Sequence, residues 1–248
     1  MGNNNYIGSD NTFYPVDSIM KSLFTEELVS AGIDIAEISI DDLIESEELK
    51  NIPIVKTVYG LAKTSLAIRD RFLLKKLLIF IKDLDQGNAK IEEIEKRRKA
   101  AENNEKWLRK EVELITIHLD RLDELEKTRI TSSFYIEYIN QKISFSQYRE
   151  YLAIIERVFF QDFMQLLDIY DALVQEKKVK EYIDNGYNGG IIIKQISELN
   201  CDRLIAVGLV QAKRTPMFNG KISSNYYLTE LGLKFAEVLV KINEDTNY

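Results

Sequence analysis

The distribution of proline most strongly constrains the fold of this chain. Proline occurs only at Pro15, Pro53 and Pro216, so a long central interval lacks the residue that interrupts helices. Apolar residues return at helical spacing within this interval, as in the series Trp107, Leu108, Val112, Ile115, Leu119, Leu122 and Leu125. The sequence therefore predicts a mainly α fold whose centre is a helical bundle.

Helix boundaries can be predicted from breaks and cap signals within the bundle. After a break at Gln86–Asn88, one long amphipathic helix is expected over 91–127, followed by a helix over 130–140. A further helix is expected from Tyr148 to about Tyr182, with Ser144 or Ser146 as the cap.

Composition shifts divide the chain. The start is polar and rich in asparagine, and the segment from Asn185 to Gly190 combines glycine and asparagine, which end helices. We therefore predict an N-terminal helical cap over 1–50, an amphipathic helical bundle over 51–185 and a separate C-terminal domain over 186–248.

Residue counts argue against catalysis and metal binding. Cys201 is the only cysteine and His118 the only histidine, so disulfides, cysteine-based zinc clusters and Ser-His-Asp triads lack their parts. The N-terminus has no basic segment followed by an apolar one, as a secretory signal would. We expect a non-enzymatic protein without cofactor or metal, located in the cytoplasm or on the inner face of the cell membrane.

Residues 52–84 are dense in apolar side chains, with a narrow polar or small-residue stripe at helical spacing. Charged residues interrupt every long window, so a conventional transmembrane span is not expected. The segment either forms core helices whose cations reach the surface, or lies in a membrane interface or lines an oligomeric pore. The candidate membrane and pore residues are Lys56, Gly60, Lys63, Arg71, Lys75 and Lys82.

The C-terminal segment carries the most specific pattern in the chain. A helix stopped by Gly208 is followed by a short strand, a polar loop with proline and glycine, a returning strand and a helix capped by Thr229. This order resembles the C-terminal half of winged-helix domains. The resemblance implies an α+β module, with nucleic-acid contacts from Arg203, Lys213, Arg214 and Lys221. Acidic neighbours weaken this patch, so docking of a protein partner or dimerisation is an equal alternative.

Most of the chain is also similar to a family of uncharacterised proteins from Gram-positive bacteria and their mobile elements. The residues that carry this similarity are Ile52–Lys56, Gly60–Thr64, Ile68–Arg71, Lys75–Lys76, Leu119–Arg121 and the winged-helix end. The architecture is similar to that of the abortive-infection alpha proteins, and this similarity implies a role in defence against phage.

Two function hypotheses follow. In the first, the protein is a non-enzymatic phage-defence effector: the winged helix senses a nucleic acid or partner, and the amphipathic helices act on a membrane as an oligomer, as an ion-conducting pore would. In the second, it is a cytoplasmic DNA-binding transcriptional regulator that dimerises through its helical region. A scaffold that binds a partner protein from the same operon is a third reading. The expected partners are thus DNA or an oligonucleotide, a membrane, further copies of the chain, or that partner protein.

Overall fold

The computed structural model describes residues 15–24, 35, 39, 42, 46, 49–61, 67–87, 89–175, 192–193, 201–216 and 222–246. Most of them are helical, which confirms the predicted mainly α class. The helices are α1 (Val16–Ser22), α2 (Pro53–Leu61), α3 (Ile68–Gln86), α4 (Ile91–Glu102), α5 (Lys106–Arg121), α6 (Glu126–Ile139), α7 (Phe145–Arg157), α8 (Phe160–Gln175), α9 (Asp202–Ala206) and α10 (Glu230–Thr246). The strands are β1 (Ile192–Ile193), β2 (Val210–Pro216) and β3 (Ile222–Leu228).

The chain forms two compact units, residues 1–152 and 153–248. The division falls within α7, and α1 belongs to the first unit, where it packs against α2, α4 and α5. The predicted linker at 185–190 and most of the predicted cap over 1–50 lie outside the described residues.

The core of the first unit forms around α3. This helix packs against α5 and α6, and its apolar side chains from Leu73 to Leu84 are almost fully buried. Phe80 of α3 contacts Tyr135 of α6 with ring centroids 5.4 Å apart, and Tyr135 contacts Tyr148 of α7 at 5.6 Å. The buried apolar residues of α3 are Leu73, Leu74, Leu77, Leu78, Ile79, Phe80, Ile81 and Leu84.

The single helix predicted over 91–127 is wrong, because the chain there forms two helices, α4 and α5, and α6 begins at Glu126. Asn104 adopts a left-handed conformation with φ 52° between them. The backbone N–H of Glu105 bonds to the carbonyl of Ala100 at 2.9 Å, and that of Asn104 to Ala101 at 3.2 Å. These two bonds form a Schellman motif, which ends α4 and lets α5 start in a new direction.

The helix predicted from Tyr148 to about Tyr182 also differs from the structure, which has α7 and α8 in the described part of this range. Of the two caps predicted, Ser144 is confirmed, since Ser144 and Gln147 exchange hydrogen bonds of 2.8 and 3.2 Å as a capping box. At the start of α8, the carboxylate of Asp162 accepts the backbone N–H of Phe159 at 3.1 Å. This bond stabilises the start of a new helix at a point where the sequence pattern predicts that the preceding helix continues.

In the second unit, the described strands form an antiparallel sheet in the order β1-β3-β2. Ile192 pairs with Tyr227 and Val210 pairs with Leu228, so the short strand β1 lies against the second strand of the hairpin. Helices α8 and α10 pack together, with Phe163 and Phe235 stacked at 5.2 Å.

Both predicted turn signals of the second unit are confirmed. Gly208 has φ 77°, and the bonds from Leu209 N–H to Leu204 and from Gly208 N–H to Ile205 end α9 in a Schellman motif. The hydroxyl of Thr229 accepts the N–H of Gly232 at 2.9 Å and thereby caps α10.

Gly232 lies where α10 meets the chain that leaves α9. A Cβ atom at this position would overlap the backbone carbonyl of Leu209, whereas a Cβ on Gly60 of α2 would meet nothing within 4 Å. We expect Gly232→Ala to lower the free energy of unfolding by roughly 1–3 kcal/mol because backbone atoms must move apart. The matched variant Gly60→Ala should raise it by about 0.5–1 kcal/mol, since alanine favours the helix.

Chemical denaturation followed by circular dichroism measures both effects. A Gly232→Ala variant as stable as the Gly60→Ala variant would contradict the close approach at Leu209.

Candidate functional site

Arg203 is predicted to contact nucleic acid. In the structure it lies at the start of α9 and forms an ion pair with Asp162. Its Nε and Nη2 donate to the two carboxylate oxygens of Asp162 at 2.5 and 2.7 Å. The guanidinium also lies 4.7 Å from the ring centroid of Phe159. Asp162 is fully buried, and the guanidinium compensates for the desolvation of its carboxylate. The same contacts join the start of α8 to α9.

Two of the other three predicted nucleic-acid residues belong to the hairpin. Lys213 and Arg214 lie on β2, where they pair with Asn225 and Ser224 of β3. Lys221 lies outside the described residues. The structure thus brings Lys213 and Arg214 together on one strand, while Arg203 is engaged by Asp162.

The predicted membrane stripe is distributed over two helices. Lys56 and Gly60 are exposed on α2, and Lys63 lies outside the described residues. On α3, Lys75 is buried, while Arg71 and Lys82 are half-buried. The apolar side chains beside them face α5 and α6, as expected if the segment forms core helices.

Lys76, next to this stripe, is almost completely buried. Its Nζ donates to the carbonyl of Leu122 at 2.8 Å and lies 4.8 Å from the ring centroid of Phe72. Desolvation lowers its pKa to about 8, against the opposing effect of nearby Asp120. Within the described residues, no helix combines the length and the apolar content required to cross a bilayer.

His118 is buried in the first unit and neutral. The hydroxyl of Thr131 donates its hydrogen to the carbonyl of Lys127 at 2.8 Å. The hydroxyl oxygen therefore accepts a hydrogen bond from the Nε2–H of His118, 3.2 Å away. Desolvation lowers the pKa of His118 to about 3, and the cations Arg121, Lys76 and Lys127 add to this effect.

A buried charged network joins α4, α5 and α6. Arg97 Nε donates to Glu111 at 3.2 Å and Arg97 Nη1 donates to Glu93 at 2.8 Å. The hydroxyls of Tyr135 and Tyr138 both donate to Glu111, the latter at 3.1 Å. Desolvation and the Glu111 charge raise the pKa of Tyr138 to about 12, so Tyr138 remains a hydrogen-bond donor at neutral pH.

An open cleft of about 440 Å³ lies beside this network. Sequence reasoning missed it, because its lining comes from three helices and the turn after α6. The block of cations at 96–99 and the lone tryptophan were the available signals, but neither indicates that the two meet. The lining residues are Glu93, Lys96, Arg97, Trp107, Tyr138, Ile139 and Gln141.

The described residues contain no cluster of three or more His, Cys, Asp or Glu side chains that could hold a metal ion. Cys201 is buried, and desolvation raises the pKa of its thiol, so it serves as a small apolar side chain. Comparison with protein family models, curated proteins and solved structures found no match to this chain.

His118 and Asp83 should give opposite pH dependences of stability. The pKa of His118 falls to about 3 on folding, so stability is lost as pH drops below about 6.5, where the unfolded chain takes up a proton. Desolvation raises the pKa of Asp83 to about 6, although Ser132 donates to its carboxylate at 2.5 Å. Asp83 therefore adds stability as pH drops from about 6 towards 4.

We expect His118→Gln to gain stability relative to the native chain on acidification below pH 6.5, by about 1.4 kcal/mol per pH unit at most. Asp83→Asn should lose stability relative to the native chain over pH 6 to 4. Urea unfolding across this range measures both differences, and parallel curves for all three proteins would refute the two assignments.

Proposed function

We propose that this chain is a non-enzymatic nucleic-acid-binding regulator, in which the second unit is a winged-helix module that contacts DNA or an oligonucleotide through its hairpin. The observation that carries the proposal is the sheet order β1-β3-β2 with α9 directly before β2. In winged-helix domains, too, a short strand ahead of the recognition helix pairs with the second strand of the wing.

The turns that flank the hairpin support the same reading. Gly208 turns the chain sharply from α9 into β2, and Thr229 starts α10 directly after β3. Thr229 also donates its hydroxyl proton to the carbonyl of Gly208 at 2.7 Å, which ties the two ends of the hairpin together. The hairpin is thus anchored at its base, as a wing that projects towards a ligand requires.

We assign the phosphate contacts to Lys213, Arg214 and Lys221. Arg203 has a different role in this proposal, because its bidentate bond to Asp162 positions α9 on α8. A guanidinium that stabilises a buried carboxylate would leave that carboxylate unpaired if it turned towards a phosphate.

The packing of α3 favours a regulator over a membrane effector. Most of the apolar surface of α3, from Leu73 to Leu84, is buried in the core formed with α5 and α6, whereas Ile68 is exposed. Action on a membrane would require α3 to leave this core and expose the buried Lys76. We therefore assign the first unit to ligand binding and self-association rather than to bilayer contact.

The variant K213Q/R214Q/K221Q should lose affinity for DNA by about tenfold or more and reduce the salt dependence of binding by about two to three phosphate equivalents. Removal of each cation should lower the number of counterions released from the DNA on binding by about one. Fluorescence anisotropy with labelled duplex and single-stranded oligonucleotides at several salt concentrations measures both quantities.

Lys234→Gln is the control, because Lys234 lies in the same unit, is about half exposed and pairs with Glu230 one turn away on α10. It should bind nucleic acid like the native chain. Equal affinity of the triple variant and the native chain would refute the assignment, and stoichiometric capture of a protein at the hairpin would replace it with a docking role.

The phage-defence effector is the alternative, since the similarity to abortive-infection alpha proteins implies it. Under the regulator proposal, the purified protein leaves anionic vesicles intact both alone and with saturating oligonucleotide. Dye release that begins only when the oligonucleotide is added would instead indicate that α3 leaves the core, and would favour the effector.

A further inference from the structure

The cleft beside Arg97 contains a buried cation with unused donors. Arg97 is 4% exposed and lines the cleft, and its Nε and Nη1 bond to Glu111 and Glu93. Among the described residues, no carboxylate or backbone carbonyl accepts a hydrogen bond from Nη2, although the hydroxyls of Tyr135 and Tyr138 lie near the guanidinium. A buried guanidinium with an unmatched nitrogen can donate to an acceptor supplied by a ligand.

Aromatic rings surround this guanidinium. Its central carbon lies 5.7 Å from the ring centroid of Trp107 and 5.5 Å from that of Tyr138. Trp107 is nevertheless 38% exposed, although large aromatic side chains are usually covered, and its indole N–H is held by Glu105 at 2.5 Å. The indole is thus fixed in place with part of its surface open to a planar ligand.

The charges at the cleft rim suit a ligand with an anionic group. Lys96 is mostly exposed, with its Nζ 3.8 Å from Glu93, beyond a strong hydrogen bond. The carboxylate of Glu93 is already matched by Arg97 and by the side-chain amide of Gln141, which donates to it at 3.2 Å. Lys96 can therefore turn towards an incoming anion without leaving Glu93 unpaired.

We infer that this cleft binds a nucleotide, with the base on Trp107 and the phosphate on Lys96 and Arg97 Nη2. A planar base offers the surface that an exposed indole stacks against, and a phosphate offers the acceptors that the two cations lack. The volume of about 440 Å³ lies within the usual range of small-ligand sites, about 300–1,000 Å³. This site is independent of the hairpin and gives the first unit a ligand-sensing role.

Tryptophan fluorescence tests the inference directly, because Trp107 is the only tryptophan of the chain. The full chain is titrated with AMP, GMP, adenosine and inorganic phosphate. We expect saturable quenching by a nucleotide, with weaker binding of adenosine and of phosphate, since each carries only one of the two recognised groups. No saturable change with either nucleotide, or binding of phosphate as tight as that of the nucleotide, would overturn the inference.

Variants locate the ligand, with calorimetry as the readout where the tryptophan is changed. Lys96→Gln should weaken nucleotide binding by roughly fivefold or more through loss of a charge-assisted hydrogen bond. Trp107→Leu should abolish it, whereas Trp107→Phe should retain part of it because a stacking ring remains. Circular dichroism checks that each variant is folded.

Lys142→Gln is the matched control, because Lys142 is similarly exposed, lies one residue beyond Gln141 and does not line the cleft. It should bind nucleotide like the native chain, and so should K213Q/R214Q/K221Q. If Lys96→Gln and Lys142→Gln weaken nucleotide binding equally, the cations attract the phosphate nonspecifically and the proposed site is refuted. This conclusion does not depend on the result for the hairpin variant.

Discussion

The ion pair between Arg97 and Glu111 organises the first unit. Both side chains are almost fully buried, so each needs the other to offset the loss of hydration. Tyr135 and Tyr138 bring two further donors to Glu111 from α6, and Tyr135 in turn contacts Phe80 of α3. One polar contact therefore fixes α4, α5 and α6 in relation to one another, and Arg97 of this pair also lines the cleft.

The second unit depends on an analogous contact at a smaller scale. Asp162 caps the start of α8 and also receives Arg203 from α9, so a single buried carboxylate fixes both helices. The hairpin is fixed separately, by Thr229 on Gly208 and by the close approach of Gly232 to Leu209. The cations proposed to meet nucleic acid are thus carried on a hairpin whose base is held by contacts independent of them, which lets them be changed without unfolding the unit.

Burial in the structure favours the core-helix interpretation of the apolar segment at 52–84. Its periodicity suits a core helix and an interfacial helix equally, because both present one apolar face. In the structure, the apolar face of α3 is covered by α5 and α6, and Lys76 is enclosed with carbonyl partners. The candidate functional site of the first unit is therefore the cleft lined by α4, α5 and α6, not the predicted membrane stripe. No periodicity in the sequence indicates this cleft.

The sequence alone determined the features whose cause is local. Gly208, Ser144 and Thr229 each act within a few residues, through a positive φ or a cap. Gly208 and Thr229 were predicted in these roles, and Ser144 was one of the two caps predicted for α7. The break at Asn104 uses the same Schellman geometry but was missed, because asparagine signals it less strongly than glycine. The tertiary structure alone decided which side chains meet: Arg97 with Glu111, and Arg203 with Asp162. Such partners are far apart in the chain, and only the packing of the helices that carry them brings their charges together.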